Sequence, residues 1–121
     1  MAQTAMRFLA TPEVAHRRRI LVAGILLADQ ELSGDPIHIT VVGGKKDAGA
    51  QSLFAEAIRY PNGYKVVEWF DKAEGPLPNA EVEFPDLPVA AAFGCANQRC
   101  SLPIKKPQDI ARTIDAFTKS D

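Results

Sequence analysis

The side chains best suited to chemistry in this sequence are two cysteines that close a short turn, Cys95-Ala96-Asn97-Gln98-Arg99-Cys100. If the flanking residues pair as antiparallel strands and the thiols fall opposite one another on one face, a disulfide can form. It requires Cβ atoms closer than ordinary cross-strand spacing, and a bridge strained in that way is the more easily reduced. Arg99, next to Cys100, is a cation able to lower a thiol pKa and favour the reactive thiolate. The spacing is C-x4-C in a hairpin, whereas a thioredoxin-type site is C-x-x-C at the amino end of a helix. A structural pair is therefore the first reading, a redox-active or switchable disulfide the second, and a metal role the last. Zinc needs a tetrahedral ligand set, and the two histidines, His16 and His38, do not stand at ligand spacing. No metal and no cofactor is assigned.

Gly43-Gly44-Lys45-Lys46-Asp47 follows a strand and opens a helix, where backbone amides and the positive helix end attract anions. Lys45 and Lys46 add charge there, but the segment matches neither the Walker pattern nor G-x-G-x-x-G. A simple turn with solvated lysines is placed ahead of an anion or phosphate site at Gly43, Gly44, Lys45 and Lys46. Glu68, Asp71 and Glu74 lie near the carboxyl end of the second strand, where open α/β sheets bind ligands. Paired acids there could serve as general acid and base; solvated carboxylates are the first reading. His38 lies within an apolar strand and reads as a satisfied or partly exposed strand histidine rather than a catalytic one. Trp69 and Phe70 read as core and cover.

The elements that must position these groups follow from periodicity and punctuation. Thr11-Pro12-Glu13 is a helix start, with Thr11 as cap and Pro12 at the first position, and the helix runs to about Leu32. Val14, Leu21, Ile25, Ala28 and Leu32 form its stripe, widened by Val22 and Leu26, so the helix is expected to be buried. Residues before Thr11 form a short helix or a frayed end. Ile37-His38-Ile39-Thr40-Val41-Val42 is a β-branched run and reads as the central strand. Asp47 caps a helix carrying Ala50, Leu53, Phe54, Ala57 and Ile58, and Tyr64 to Phe70 is a second strand, which together make a βαβ unit with parallel strands.

Asp71 to Pro88 is a proline-rich loop expected to pin Leu77, Val82, Phe84 and Leu87 on the core. Val89 to Cys95 and Cys100 to Ile104 then form an antiparallel hairpin across the four-residue turn Ala96-Asn97-Gln98-Arg99, with Pro103 confining the return to an edge. A last helix begins near Pro107 with Ile110, Ile114 and Phe117 on one face. The fold class is α/β: a small sheet with a βαβ unit and a carboxyl-terminal β-hairpin, flanked by an amino-terminal helical segment (1–35) and a carboxyl-terminal helix in one domain.

Composition narrows the function classes. The chain has 121 residues, of which 46% are hydrophobic, enough for one core. With 14 Lys+Arg against 15 Asp+Glu, the net charge of -1 offers no basic field for nucleic acid. The longest apolar run, Ile20 to Ala28, is short of the roughly 20 residues that span a bilayer, so no membrane role is assigned. His16-Arg17-Arg18-Arg19 before that run mimics a signal peptide, but Asp29, Gln30 and Glu31 follow it at once. Two cysteines are too few for a secreted disulfide scaffold, and the cytoplasm is the expected compartment.

From Pro36 onward the order of segments carries a resemblance: Ile37 to Gly43, Ala50-Gln51-Ser52-Leu53-Phe54, Tyr64 to Asp71, Glu74-Gly75-Pro76-Leu77-Pro78-Asn79, and Ala91-Ala92-Phe93-Gly94-Cys95 ending in Cys100-Ser101-Leu102-Pro103-Ile104. This resembles the carboxyl-terminal segment of thioredoxin-domain-containing proteins related to spermatogenesis-associated protein 20. Members of that family carry a thioredoxin-like domain and a helical toroid ahead of a small α/β region, and neither of the first two is in this sequence. The resemblance implies a non-catalytic accessory domain whose partner is a thioredoxin-like and toroid domain, in the same or a separate chain. It also implies that the apolar face of Thr11 to Leu32 is partly exposed in isolation and open to self-association. The alternatives are a thiol-disulfide component using Cys95 and Cys100, and, more weakly, an anion-binding domain.

Overall fold

A proline ring clashes with the preceding helical turn, so no helix continues from Ala10 through Pro12. In the computed structural model, which describes residues 1–18, 22–77 and 82–119, α1 (Ala2–Leu9) ends just before this point and α2 (Pro12–Arg18) begins at it. Thr11, expected as a cap for the helix that follows, instead donates its hydroxyl back to the Phe8 carbonyl at 2.9 Å and closes α1. α3 (Val22–Leu32) ends where the Ser33 hydroxyl donates to the carbonyls of Asp29 and Gln30. The single helix expected from Thr11 to Leu32 is thus seen as α2 and α3, and Arg19, Ile20 and Leu21 lie outside the described residues.

The chain divides into two compact units, Met1–Pro36 and Ile37–Asp121. Within the first, α1 packs against both α2 and α3. The expected burial of the apolar helix is not observed, because no residue of α1 or α3 is buried. Val22, Ile25 and Ala28 are half-buried, whereas Leu26 is 61% and Leu27 56% exposed. The reason is geometric: α3 is apolar nearly all round, and short helices cover only the side that faces them.

In the second unit, β1 (Ile37–Val42), α4 (Ala48–Arg59) and β2 (Lys65–Phe70) form the βαβ unit with parallel strands, Ile37 in register with Lys65 and Val42 with Phe70. β3 (Ala91–Ala96) runs antiparallel to β1, and β4 (Arg99–Cys100) returns beside β3. The sheet order is β2-β1-β3-β4, which makes β1 an inner strand and β4 an edge. A 3-10 turn at Pro107–Asp109 leads into α5 (Ile110–Thr118). The fold class is α/β as the sequence implies.

The two faces of the sheet are covered differently. On one, Ile37, Ile39 and Val41 pack with Ala50, Leu53 and Ala57 of α4, Ile110 and Ile114 of α5, and Ile104. Trp69 joins this side, its ring 4.7 Å from that of Phe54 and its indole N–H donating to the Gly43 carbonyl at 2.9 Å. The Tyr60 hydroxyl donates to Asp115 at 2.8 Å, tying the end of α4 to α5, and burial with that hydrogen bond pushes the phenol up to about 12. The other face holds Val42, Ala91 and Phe93, covered by Phe70, Phe84 and Leu87. Of the loop residues expected to pin the core, Phe84 and Leu87 do so, Leu77 is half-buried, and Val82 is 39% exposed. Ile58, expected on the apolar stripe of α4, is also exposed.

Candidate functional site

The hairpin is tighter than its sequence suggests. Ala96 and Arg99 pair directly, leaving a two-residue loop, Asn97-Gln98, rather than the expected four-residue turn. Both loop residues have positive φ, 50° and 61°, as a type I′ turn requires to match strand twist. Asn tolerates that region, but Gln does so at a cost of about 1–2 kcal/mol. Gln98→Gly is therefore expected to raise the unfolding free energy by about 1 kcal/mol, part of the relief being offset by the freer unfolded chain. A thermal melt displaced upward by several degrees checks it, and an unchanged or lowered midpoint would refute the turn assignment.

This turn sets the register that joins the cysteines. With Ala96 and Arg99 closing the loop and the Ser101 amide donating to the Gly94 carbonyl at 2.8 Å, Cys95 and Cys100 occupy the intervening pair. In antiparallel sheets that non-hydrogen-bonded pair has the closest approach of side chains. The Cα atoms are 4.0 Å apart, and the Sγ atoms are bonded at 2.04 Å. The return strand then deviates from the expected Cys100 to Ile104. Ala92 bridges Ile104 rather than Pro103, so Leu102 and Pro103 together face Phe93 as a bulge, which accommodates a residue without an N–H.

Strand alternation sorts the neighbouring groups. Gly94 faces α5, where an added Cβ would stand 2.9 Å from Ile114 Cγ1, so Cys95 and Cys100 point to the opposite face with Phe93. Arg99 therefore extends on the α5 side, its guanidinium 5.5 Å from the centre of the Phe117 ring. The adjacency of Arg99 to Cys100 in sequence does not become adjacency of side chains. The group brought to the cysteines is instead His38. Val66 pairs with His38, His38 with Cys95 and Cys95 with Cys100, so these four residues form one row across all four strands on one face. His38 and Cys100 are exposed and Cys95 half-buried. Nothing local in the sequence signals this row, because it depends on the register between β1 and β3.

The second candidate region is a cleft of about 220 Å³ at the carboxyl end of β1, lined by Gly43, Gly44, Asp47, Asp71, Lys72 and the segment Asp86 to Ala90. Here the chain passes close to itself: a Cβ on Gly43 would lie 2.8 Å from that of Ala90. The loop is braced by its own polar groups. Asp47 accepts from the Ala50 amide at 2.8 Å as helix cap, and Gln51 donates to the Lys45 carbonyl at 2.9 Å. Asp71 accepts the Lys45 amide at 2.9 Å and the Ala73 amide at 3.0 Å. The Lys45 ammonium lies 2.6 Å from Glu74, so this lysine is paired rather than simply solvated. Lys72 pairs with Asp86 at 2.8 Å. Of the three carboxylates considered as acid and base, Asp71 and Glu74 are engaged with Lys45, while Glu68 lies on the opposite side of its strand from Trp69, in register with Thr40.

The Lys45 and Ala73 amides hold the Asp71 carboxyl below the ordinary carboxylate range. A depressed native pKa means that the ionised group stabilises the fold at and above ordinary carboxylate pH, and that this contribution is lost as pH falls through the lowered value. Asp71→Asn is expected to flatten the dependence of stability on pH below about pH 4. Urea unfolding across the acid range checks this, and parallel curves for the two proteins would exclude it.

Among the described residues, no group of three His, Cys, Asp or Glu is placed to hold a metal ion, and no helix is long and apolar enough to cross a membrane. No family model, curated protein or solved structure matches the chain.

Proposed function

We propose that this chain is a non-catalytic accessory domain that packs, through its apolar helical segment, on a partner built of a thioredoxin-like domain and a helical toroid. One observation carries the reading: both core clusters are drawn from residues of 37–121, while α1 and α3 bury no residue and leave Phe8, Leu26 and Leu27 exposed. Apolar surface of this kind is stabilised by a second surface that removes it from water. The nature of the partner rests on the resemblance of residues 36–104 to the tail of thioredoxin-like toroid proteins.

The test is co-purification of the full chain with a thioredoxin-like toroid protein from the same genome, followed by light scattering. A stoichiometric complex supports the reading. A chain that stays monomeric beside the toroid protein, with the α3 amides already protected from hydrogen exchange, overturns it. A concentration-dependent dimer without binding to the toroid protein would replace the proposed partner with a second copy.

A further inference from the structure

The row Val66, His38, Cys95, Cys100 carries an inference independent of the docking reading. We propose that the Cys95–Cys100 bridge is a thiol-exchange site in which Cys100 is the sulfur attacked and His38 is the proton donor to Cys95. Three features of the hairpin support this assignment.

The first is access. Cys100 is exposed on an edge strand of two residues, whereas Cys95 is half-buried on an inner strand. Exchange requires an incoming thiolate to reach the sulfur it attacks, so approach from solvent selects Cys100 and makes Cys95 the leaving group. The second is the position of the imidazole. Directly opposite residues on one sheet face have Cβ atoms about 4.5–5.5 Å apart, within the reach of an imidazole to a neighbouring sulfur. His38 is opposite Cys95 and exposed, so it can exchange protons with water. The third is the set of charged groups near the pair. From β2 the one ionisable side chain on this face is Glu68, diagonal to His38; from β3 and β4 there are only the cysteines, because Arg99 extends to the other face.

A thiolate RS⁻ attacks Cys100 Sγ, the Sγ–Sγ bond breaks, and its electron pair leaves on Cys95 Sγ. The imidazolium of His38 gives that sulfur a proton and becomes neutral, later recovering one from water. The product is a mixed disulfide, Cys100-S-S-R, and a Cys95 thiol. A second thiol of the same class attacks the R sulfur, releases Cys100 and forms RSSR, so two thiols are oxidised for each bridge reduced. The co-reactant is a low-molecular-weight thiol such as glutathione or a protein dithiol. Stabilising the departing thiolate accelerates exchange, as a lower leaving-group pKa does.

The experiment uses the full chain with its bridge intact and glutathione as the thiol. Reduction is quenched by alkylation and followed by mass in the native chain, His38→Ala and His38→Gln, from about pH 6 to about pH 8. His38 is exposed, so neither variant removes a core residue. Both are expected to slow reduction about tenfold at the acid end of the range, with the difference shrinking as pH rises. Peptide mapping of the trapped adduct is expected to place glutathione on Cys100. Rates within about twofold of the native chain across the range overturn the role of His38. Glutathione mapped to Cys95, or a bridge that glutathione does not open, overturns the site.

Discussion

Replacing Ile114 with alanine is expected to lower the unfolding free energy by about 3 kcal/mol, within the range of about 2–5 kcal/mol seen for large-to-alanine changes in cores. Ile114 is fully buried, and it packs on β3 where Gly94 has no side chain. That pairing makes the cavity hard to refill: a glycine has no rotamer to swing into the space, and the sheet backbone is fixed by bonds on both sides, to β1 and to β4. Urea unfolding of the full chain measures the effect directly. Leu26→Ala is the comparison, expected to change stability by no more than about 0.5 kcal/mol because its side chain is exposed. Near-equal costs for the two substitutions would contradict the division between an α/β core and helices α1 and α3, which bury no residue.

The contrast between those residues also shows what could be seen in the sequence. β1 was legible to the residue because Ile37 to Val42 is a β-branched run bounded by Pro36 and Gly43, so local propensity and burial agree. α4 was legible for the same reason, with Asp47 as its cap and Ala50, Leu53 and Ala57 on its buried side. The burial of α3 is not legible in the sequence, because periodicity reports a need for cover and not its supply: a helix apolar all round looks alike whether or not anything packs on it. The hairpin fell between. Its cysteines were evident from spacing, but the two-residue loop depends on Gln98 adopting positive φ, against its propensity, and only register reveals it. His38 and Cys95 are brought together by pairing between strands distant in sequence, and no local pattern encodes that. The same holds for Lys45, whose partners Asp71 and Glu74 are supplied by the loop that follows β2.

The larger functional effect is expected from charging the exposed side of α3. In Leu26→Glu with Leu27→Glu, two side chains exposed by 61% and 56% are replaced by carboxylates. If these leucines are covered in the complex, each loses a burial contribution of about 1.5–3 kcal/mol. Each carboxylate further resists transfer out of water unless the partner offers it a cation. Since about 1.4 kcal/mol is a tenfold change in affinity, the double variant is expected to weaken retention by the thioredoxin-like toroid partner more than about a hundredfold. The stability of the α/β unit should not change, because among the described residues its core clusters hold none before Ile37. Ile58→Glu provides the control for the kind of change: it places one carboxylate, half the added charge, on an apolar side chain 54% exposed on α4, outside the segment assigned to docking. Loss of retention in the α3 variant but not at Ile58 assigns docking to the helical segment. Equal loss in both would show that added negative charge alone weakens the complex, and retention in both would place the contact elsewhere on the chain.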